Sequence, residues 1–355
     1  MTRRSDTSTP RSGPRPEATW DGPPLAPTRD LVAFLIRGRW SDEPSYGWTL
    51  PEREGDVGAD VLRPLRGSPP RLGDHEETPI SGRAVLRDVA RESGYPGGST
   101  GPSVLQWFDF STAQSTVVPI PPRAAGAPVR QFTAHAGARL VAIAEPWVDQ
   151  APGSGEIWAR MRLSVHVAPL DGMDARLLAT FLGGWFADED SSSLQWSPDA
   201  TAIAFCRRWV DLDAPEKGWH RAVVVLSARD GTLLASWPDV SLAGTASWSP
   251  DSRRLLIQPE GRTTAVQDVF SDRRVPVDLP PRRSDGFRGR RALGLVDDDR
   301  VVVMDDTSGP TVLSIDTLDG QHSHELVRWR TSHPSFPRVS ALGPDVWDRA
   351  LSRAR

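Results

Sequence analysis

Residues 193–205 read SLQWSPDATAIAF, and residues 245–257 read TASWSPDSRRLLI, the same phrase in nearly the same letters. In both copies proline fixes φ near the value wanted at the second position of a turn. The flanking Ser and Asp side chains (Ser197 and Asp199, Ser249 and Asp251) can bond nearby backbone amides. The phrase is therefore a turn, and the short strand-like runs on either side make it a hairpin. A second hairpin follows the first copy: HRAVVVLSA, then Arg229-Asp230-Gly231, then TLLASW. Asp-Gly between apolar runs is a strong short-range hairpin signal.

Four strands per unit recur along the chain. Upstream, RLVAIAEPWVD, RMRLSVHVA, Asp171-Gly172 and ARLLATF repeat the order; downstream, DRVVVMDD, PTVLSID, Asp319-Gly320 and HELVRW do so again. Near the start DLVAFLIRGRWSD matches the strand that ends in Trp209-Val210-Asp211. About six units, spaced by roughly 40 to 60 residues, fit the period of propeller blades. Val223 to Leu226 and Leu255 to Ile257 are continuously apolar, as strands buried on both faces of a stacked sheet must be. The expected fold is all-β, a β-propeller of six four-stranded blades over residues 18–330. Residues 1–17 read as a disordered leader, and 331–355 as a closing strand followed by a short helical tail.

The Trp-Ser-Pro-Asp phrase followed by an apolar strand resembles the TolB-type, WD40-like β-propeller repeat. That family usually places Gly after the Asp, where this chain has Ala200 and Ser252. The resemblance implies fold more than activity, because propellers host docking, ligand binding and catalysis alike.

Composition narrows the function classes. The 355 residues carry a net charge of −4, which gives no global pull toward nucleic acid. No apolar run approaches the roughly 18 residues needed to cross a bilayer. The N-terminus lacks an apolar signal core, so the expectation is a cytoplasmic protein without nucleic-acid or membrane partners. Lys217 is the only lysine and asparagine is absent, a usage we ascribe to GC-rich coding. Cys206 lies in an apolar run and reads as a small core residue. RRSDGFRGRR, residues 282–291, is the one concentrated basic segment and reads as a solvated loop.

Chemistry-bearing patterns are sparse. Residues 97–101, GGSTG, satisfy a nucleophile-elbow pattern but lack the strand before and helix after that an elbow needs. His322 and His324 alternate on one strand and so face one way, without an identifiable third metal ligand. Carboxylates cluster at Asp188-Glu189-Asp190, Asp297-Asp298-Asp299 and Asp305-Asp306; calcium would need several of them to converge, and no cofactor is otherwise expected.

The most specific feature is a loop signature: Trp40-Ser41-Asp42, Trp147-Val148-Asp149 and Trp209-Val210-Asp211 each close a second strand and open a loop toward the third. Such tryptophans either pack between adjacent blades or form a recognition rim. Strand order puts these loops on one face of the disc, together with GGWFADEDSS, residues 183–192. The candidate site is thus Trp40, Asp42, Trp147, Asp149, Trp185, Asp188, Glu189, Asp190, Trp209 and Asp211, aromatics beside carboxylates that suit a cationic or sugar-like small ligand or a protein or peptide partner. The first expectation is a non-catalytic binding module; the alternative is a propeller enzyme using channel carboxylates, with or without a divalent cation.

Overall fold

In a computed structural model, the chain is described at residues 131–148, 160–170, 174–185, 194–211, 218–260, 263–279, 289–307 and 311–329, and at shorter stretches: 31–37, 46–50, 63–64, 77–81, 84–90, 103–109, 112, 114–118 and 338–341. The described strands form six antiparallel sheets. In chain order the first contains β1 (Leu31–Arg37), β2 (Tyr46–Leu50) and β3 (Arg63–Pro64). The second holds β4 (Glu77–Ser81), β5 (Ala84–Ala90), β6 (Ser103–Asp109) and β7 (Gln114–Val118). The third holds β8 (Gln131–His135), β9 (Leu140–Val148), β10 (Met161–Pro169) and β11 (Arg176–Leu182).

The fourth holds β12 (Gly184–Trp185), β13 (Leu194–Trp196), β14 (Ala202–Val210), β15 (Trp219–Ser227) and β16 (Leu233–Pro238). The fifth holds β17 (Val240–Leu242), β18 (Arg254–Pro259), β19 (Ala265–Asp268) and β20 (Arg274–Pro276). The sixth holds β21 (Arg290–Leu295), β22 (Arg300–Asp305), β23 (Thr311–Thr317) and β24 (Ser323–Trp329). A last strand, β25 (Arg338–Ala341), pairs antiparallel with β1 and so occupies the first position of the first sheet. The first and last described strands thereby share one sheet, and β25 also packs against β21 of the sixth. Repeated four-stranded antiparallel units, stacked face to face and joined through the last strand, make a β-propeller.

The repeated phrase builds its turn as its residue types require. Ala200 N–H donates to Ser197 C=O at 2.9 Å, Ser197 N–H donates to Ala202 C=O at 2.9 Å, and Ala202 N–H donates to Ser197 Oγ at 2.9 Å. Asp199 Oδ1 accepts from the Ser197 hydroxyl and from both Thr201 N–H and Thr201 Oγ1. The second copy repeats this with Ser249, Asp251, Ser252 and Arg254. Ala200 and Ser252 both have φ of 60°. This is the left-handed conformation a hairpin loop of this length needs at its last position, which explains the family's glycine there.

Stacking buries the fourth sheet on both faces. Ala142, Ala144, Leu163 and Val165 of the third sheet pack with Ile203, Phe205, Val224 and Leu226 of the fourth. On the fourth sheet's other face, Ala204, Cys206, Val223 and Val225 pack with Val240, Leu242, Leu255 and Ile257 of the fifth. Burying one such side chain is worth about 1.5–3 kcal/mol, so these interfaces supply most of the driving force. Polar stitches fix their register: Trp196 Nε1 donates to Thr133 O at 3.2 Å and Trp248 Nε1 to Gln195 O at 3.4 Å. The same tryptophan of each phrase thus binds the first strand of the preceding sheet. His135 Nδ1 accepts from Ala138 N–H, which leaves the proton on Nε2 to bond Pro198 O at 2.8 Å. Asp199 N–H donates to Ser252 Oγ at 3.1 Å, linking the two copies of the phrase directly.

The turns at Pro198 and Pro250 precede β14 and β18, and Asp230-Gly231 and Asp319-Gly320 join third strands to fourth. Asp171-Gly172 lies outside the described residues, between the paired strands β10 and β11. The segments 1–17, 97–101 and 342–355 also lie outside them. His322 is corrected: it sits in the exposed turn before β24, where its N–H bonds Thr317 Oγ1, and does not share a strand with His324.

Candidate functional site

In the sheets whose four strands follow one another in the chain, the second strand ends, and the third begins, on the same side of the ring, because the connections from first to second and from third to fourth strand lie on the other side. That side carries Trp147 and the Trp209-Val210-Asp211 positions. Trp147, near the end of β9, is half-buried; its Nε1 donates to Ser164 Oγ at 2.9 Å, and Ser164 in turn bonds Thr180 Oγ1 at 3.2 Å. Trp209, near the end of β14, is half-buried and stacks on its cross-strand neighbour His220 at 5.5 Å between centroids and 26° between planes. The Arg207 guanidinium lies 4.0 Å from the Trp209 ring centroid and 5.3 Å from that of Phe181. Asp211 follows directly on β14. Trp185 pairs with Arg207 across β12 and β14, and β12 packs against β9 as well, so the backbone positions of Trp147, Trp185 and Trp209 belong to neighbouring elements at one edge. Trp40, Asp42, Asp149, Asp188, Glu189 and Asp190 lie outside the described residues.

The segment 183–192 was expected as a simple connection between sheets. Part of it instead forms β12, which lies in line with β13 on the same flank of β14: Trp185 faces Arg207 and Leu194 faces Phe205. On β14 only Cys206 lies between these two pairings. Gly183 has φ of +98°, and a Cβ there would meet Arg208 O at 2.2 Å and Trp209 Cβ at 2.6 Å. Glycine alone permits this crossover to run against β14.

The sixth sheet holds a cavity of about 260 Å³ lined by Arg290, Asp305, Val312, Ser314, Ser323, Glu325 and Arg328. The pairings Arg290↔Asp305, Asp305↔Val312, Val312↔Arg328 and Ser314↔Glu325 set these residues side by side on one face of the sheet. The same face of β22 gives Val301 and Val303 to the apolar cluster shared with the fifth sheet. The cavity thus lies at the polar outer end of that face of the sixth sheet, on the same side of the ring as Trp209. Arg290 pairs with Asp316 and lies 3.7 Å from Asp305; Arg328 grips Glu325 with Nε and Nη2. Buried Asp316 sits behind the wall, accepting from Ser314 Oγ and Ser323 Oγ at 2.7 Å each. Alternation on strands could have flagged these residues; which face meets open space could not be read from it.

The acidic clusters at 297–299 and 305–306 are engaged by arginines. Asp297 pairs with Arg300, Asp298 with Arg254 of the neighbouring sheet, and Asp306 with Arg291 in a buried bridge that also takes Gly289 N–H. Burial pushes the Asp297 carboxyl up, but Arg300 and the Asp299 amide together hold it below its usual range. Among the described residues no three His, Cys, Asp or Glu side chains converge as metal ligands would, and no helix is long and apolar enough to cross a membrane.

No family model matches the chain, and no curated protein matches it. Solved structures similar to it include a putative TolB from Agrobacterium tumefaciens, at 14% identity over 89% of this chain and 100% of that one with a TM-score of 0.43. TolB from Acinetobacter baumannii is similar at 12% identity over 89% of this chain and 67% of that one, with a TM-score of 0.47. An oligogalacturonate lyase in complex with manganese is similar at 14% identity over 86% and 84%, with a TM-score of 0.42.

Proposed function

We propose that the protein is a non-catalytic, cytoplasmic binding module that takes a cationic or sugar-like ligand on the side of the ring bearing the second-to-third-strand loops. The observation that carries this reading is the 260 Å³ cleft of the sixth sheet, whose wall sets Asp305 and Glu325 against Arg290 and Arg328, with Asp316 behind Ser314 and Ser323. Three carboxylates against two guanidinium groups leave an excess negative charge, and the hydroxyls and planar charged groups offer the donors and acceptors a polyol or an amine needs. The aromatic and acidic positions Trp147, Trp185 and Asp188 to Asp190 would extend the contact surface for a larger, arginine- or lysine-bearing partner.

The test is a thermal-shift screen of neutral sugars, amines and basic peptides against the wild type and Asp305→Asn, since a ligand of the folded state alone raises apparent stability. A hit should be weakened at least about tenfold by Asp305→Asn and recovered chemically unchanged after prolonged incubation. Conversion of the hit to a product would mark an enzyme and overturn the reading. So would equal binding by the variant.

A further inference from the structure

Six arginines of the described fold sit on carboxylates: Arg221 on Glu260, Arg254 on Asp298, Arg290 on Asp316, Arg291 on Asp306, Arg300 on Asp297, Arg328 on Glu325. Arg207, like Arg208 over Trp219 and Arg253 over Phe270, lies on aromatic rings instead. Its guanidinium lies over Trp209 and Phe181, and its Nε is buried without a hydrogen-bond partner. Burial pushes the group below its usual value, with no opposing carboxylate among the described residues. Beside it the Nε2 of His220, stacked on the same tryptophan, is also buried and unpartnered.

The sequence places this cation deliberately against the local pattern. Ile203 and Phe205 of β14 point into the apolar cluster shared with the third sheet, and Arg207 and Trp209 continue that alternate face outward. Arg207 therefore ends the apolar cleft between the third and fourth sheets on the same side of the ring as the sixth-sheet cavity. Aromatic rings hold a guanidinium by its faces and leave its in-plane N–H fork free. A stacked fork with no internal acceptor fits a planar or tetrahedral oxyanion, which takes two parallel N–H bonds.

We propose that Arg207, held by Phe181 and Trp209 and neighboured by His220, is a binding site for an oxyanion, a carboxylate or a phosphate group on the ligand. The site is distinct from the sixth-sheet cavity and stands whether or not that cavity binds a cation or sugar. Its anionic preference also differs from the cationic preference that the Trp-x-Asp pattern suggested for this edge, because that pattern did not register Arg207 two positions before the tryptophan.

The experiment follows the Arg207 Nε–H resonance in 15N-arginine-labelled full-length protein, assigned by its loss in Arg207→Lys, during titration with sodium acetate and with inorganic phosphate at constant ionic strength in chloride. A saturable shift with acetate alone identifies a carboxylate site, and with phosphate alone a phosphate site. Apparent stability should rise in parallel, and Arg207→Lys, which keeps the charge but not the fork, should weaken binding about tenfold. Asp305→Asn should leave the response unchanged. A wild-type resonance that neither anion moves overturns the proposal, as does an equal anion-dependent stabilisation in Arg207→Lys. Through-space contacts of the resonance with the ring protons of Trp209 and Phe181 assign it in the wild type as well, so the measurement decides the matter even if the variant folds poorly.

Discussion

Replacing Ala200 and Ser252 by glycine, one at a time, should give unequal results although both residues have φ of 60° in equivalent turns. A non-glycine residue in the left-handed region is strained by about 1–2 kcal/mol. Glycine removes that strain but frees the unfolded chain, at a cost of about 0.4–1 kcal/mol. Ala200→Gly should therefore stabilise the protein by about 0.5–1 kcal/mol. At Ser252 the same gain is offset, because the hydroxyl accepts the Asp199 N–H at 3.1 Å across the interface between sheets. Losing that bond costs about 1 kcal/mol, so Ser252→Gly should be close to neutral or slightly destabilising. Equilibrium urea unfolding followed by tryptophan fluorescence gives both values from the midpoint at constant slope. A Ser252→Gly variant more stable than Ala200→Gly would refute the reasoning, since it would mean the hydroxyl contributes nothing to the stacking of the two turns.

Three further outcomes are expected. The Asp199 and Asp251 carboxyls are raised by burial but held below their usual range by the Ser197 and Ser249 hydroxyls and the turn amides, while the Thr232 amide and neighbouring hydroxyls bring Asp230 to about 2. Groups whose folded pKa is depressed contribute stability above their unfolded pKa, near 4, and lose it as pH falls below that; Asp199→Asn should flatten the acid-unfolding curve below about pH 4, and an unchanged curve would remove Asp199 from this role. Trp196→Phe should cost about 2–4 kcal/mol by leaving the buried Thr133 carbonyl without its indole donor and opening a void, and Trp248→Phe less, its bond being 3.4 Å long; calorimetric melting orders the two. Deleting residues 331–355 removes β25 and exposes the edge of β1, so the melting temperature should drop by many degrees, whereas an unaltered melt would show that this strand does not hold the ring.

The sequence by itself determined what is local. Ser197, Pro198, Asp199 and Thr201 complete their turn within five residues, so residue type and spacing suffice to announce it, and repetition of the turn with apolar runs between announces stacked hairpins. Turn phase and strand order followed from the same signals, as did the burial of Cys206. Tertiary structure alone decided which distant groups meet. Trp196 reaches Thr133 and Asp199 reaches Ser252 across separations above fifty residues, and no periodicity encodes the offset between two stacked sheets. The split of the first strand at Cys206, the arginines that occupy the acidic clusters at 297–299 and 305–306, and the two polar sites at Arg207 and Arg290 all depend on that offset. Sequence alternation says that Arg207 shares a face with Phe205 and Trp209; only the stacking of the neighbouring sheet sets Phe181 over its guanidinium and leaves its Nε without an acceptor.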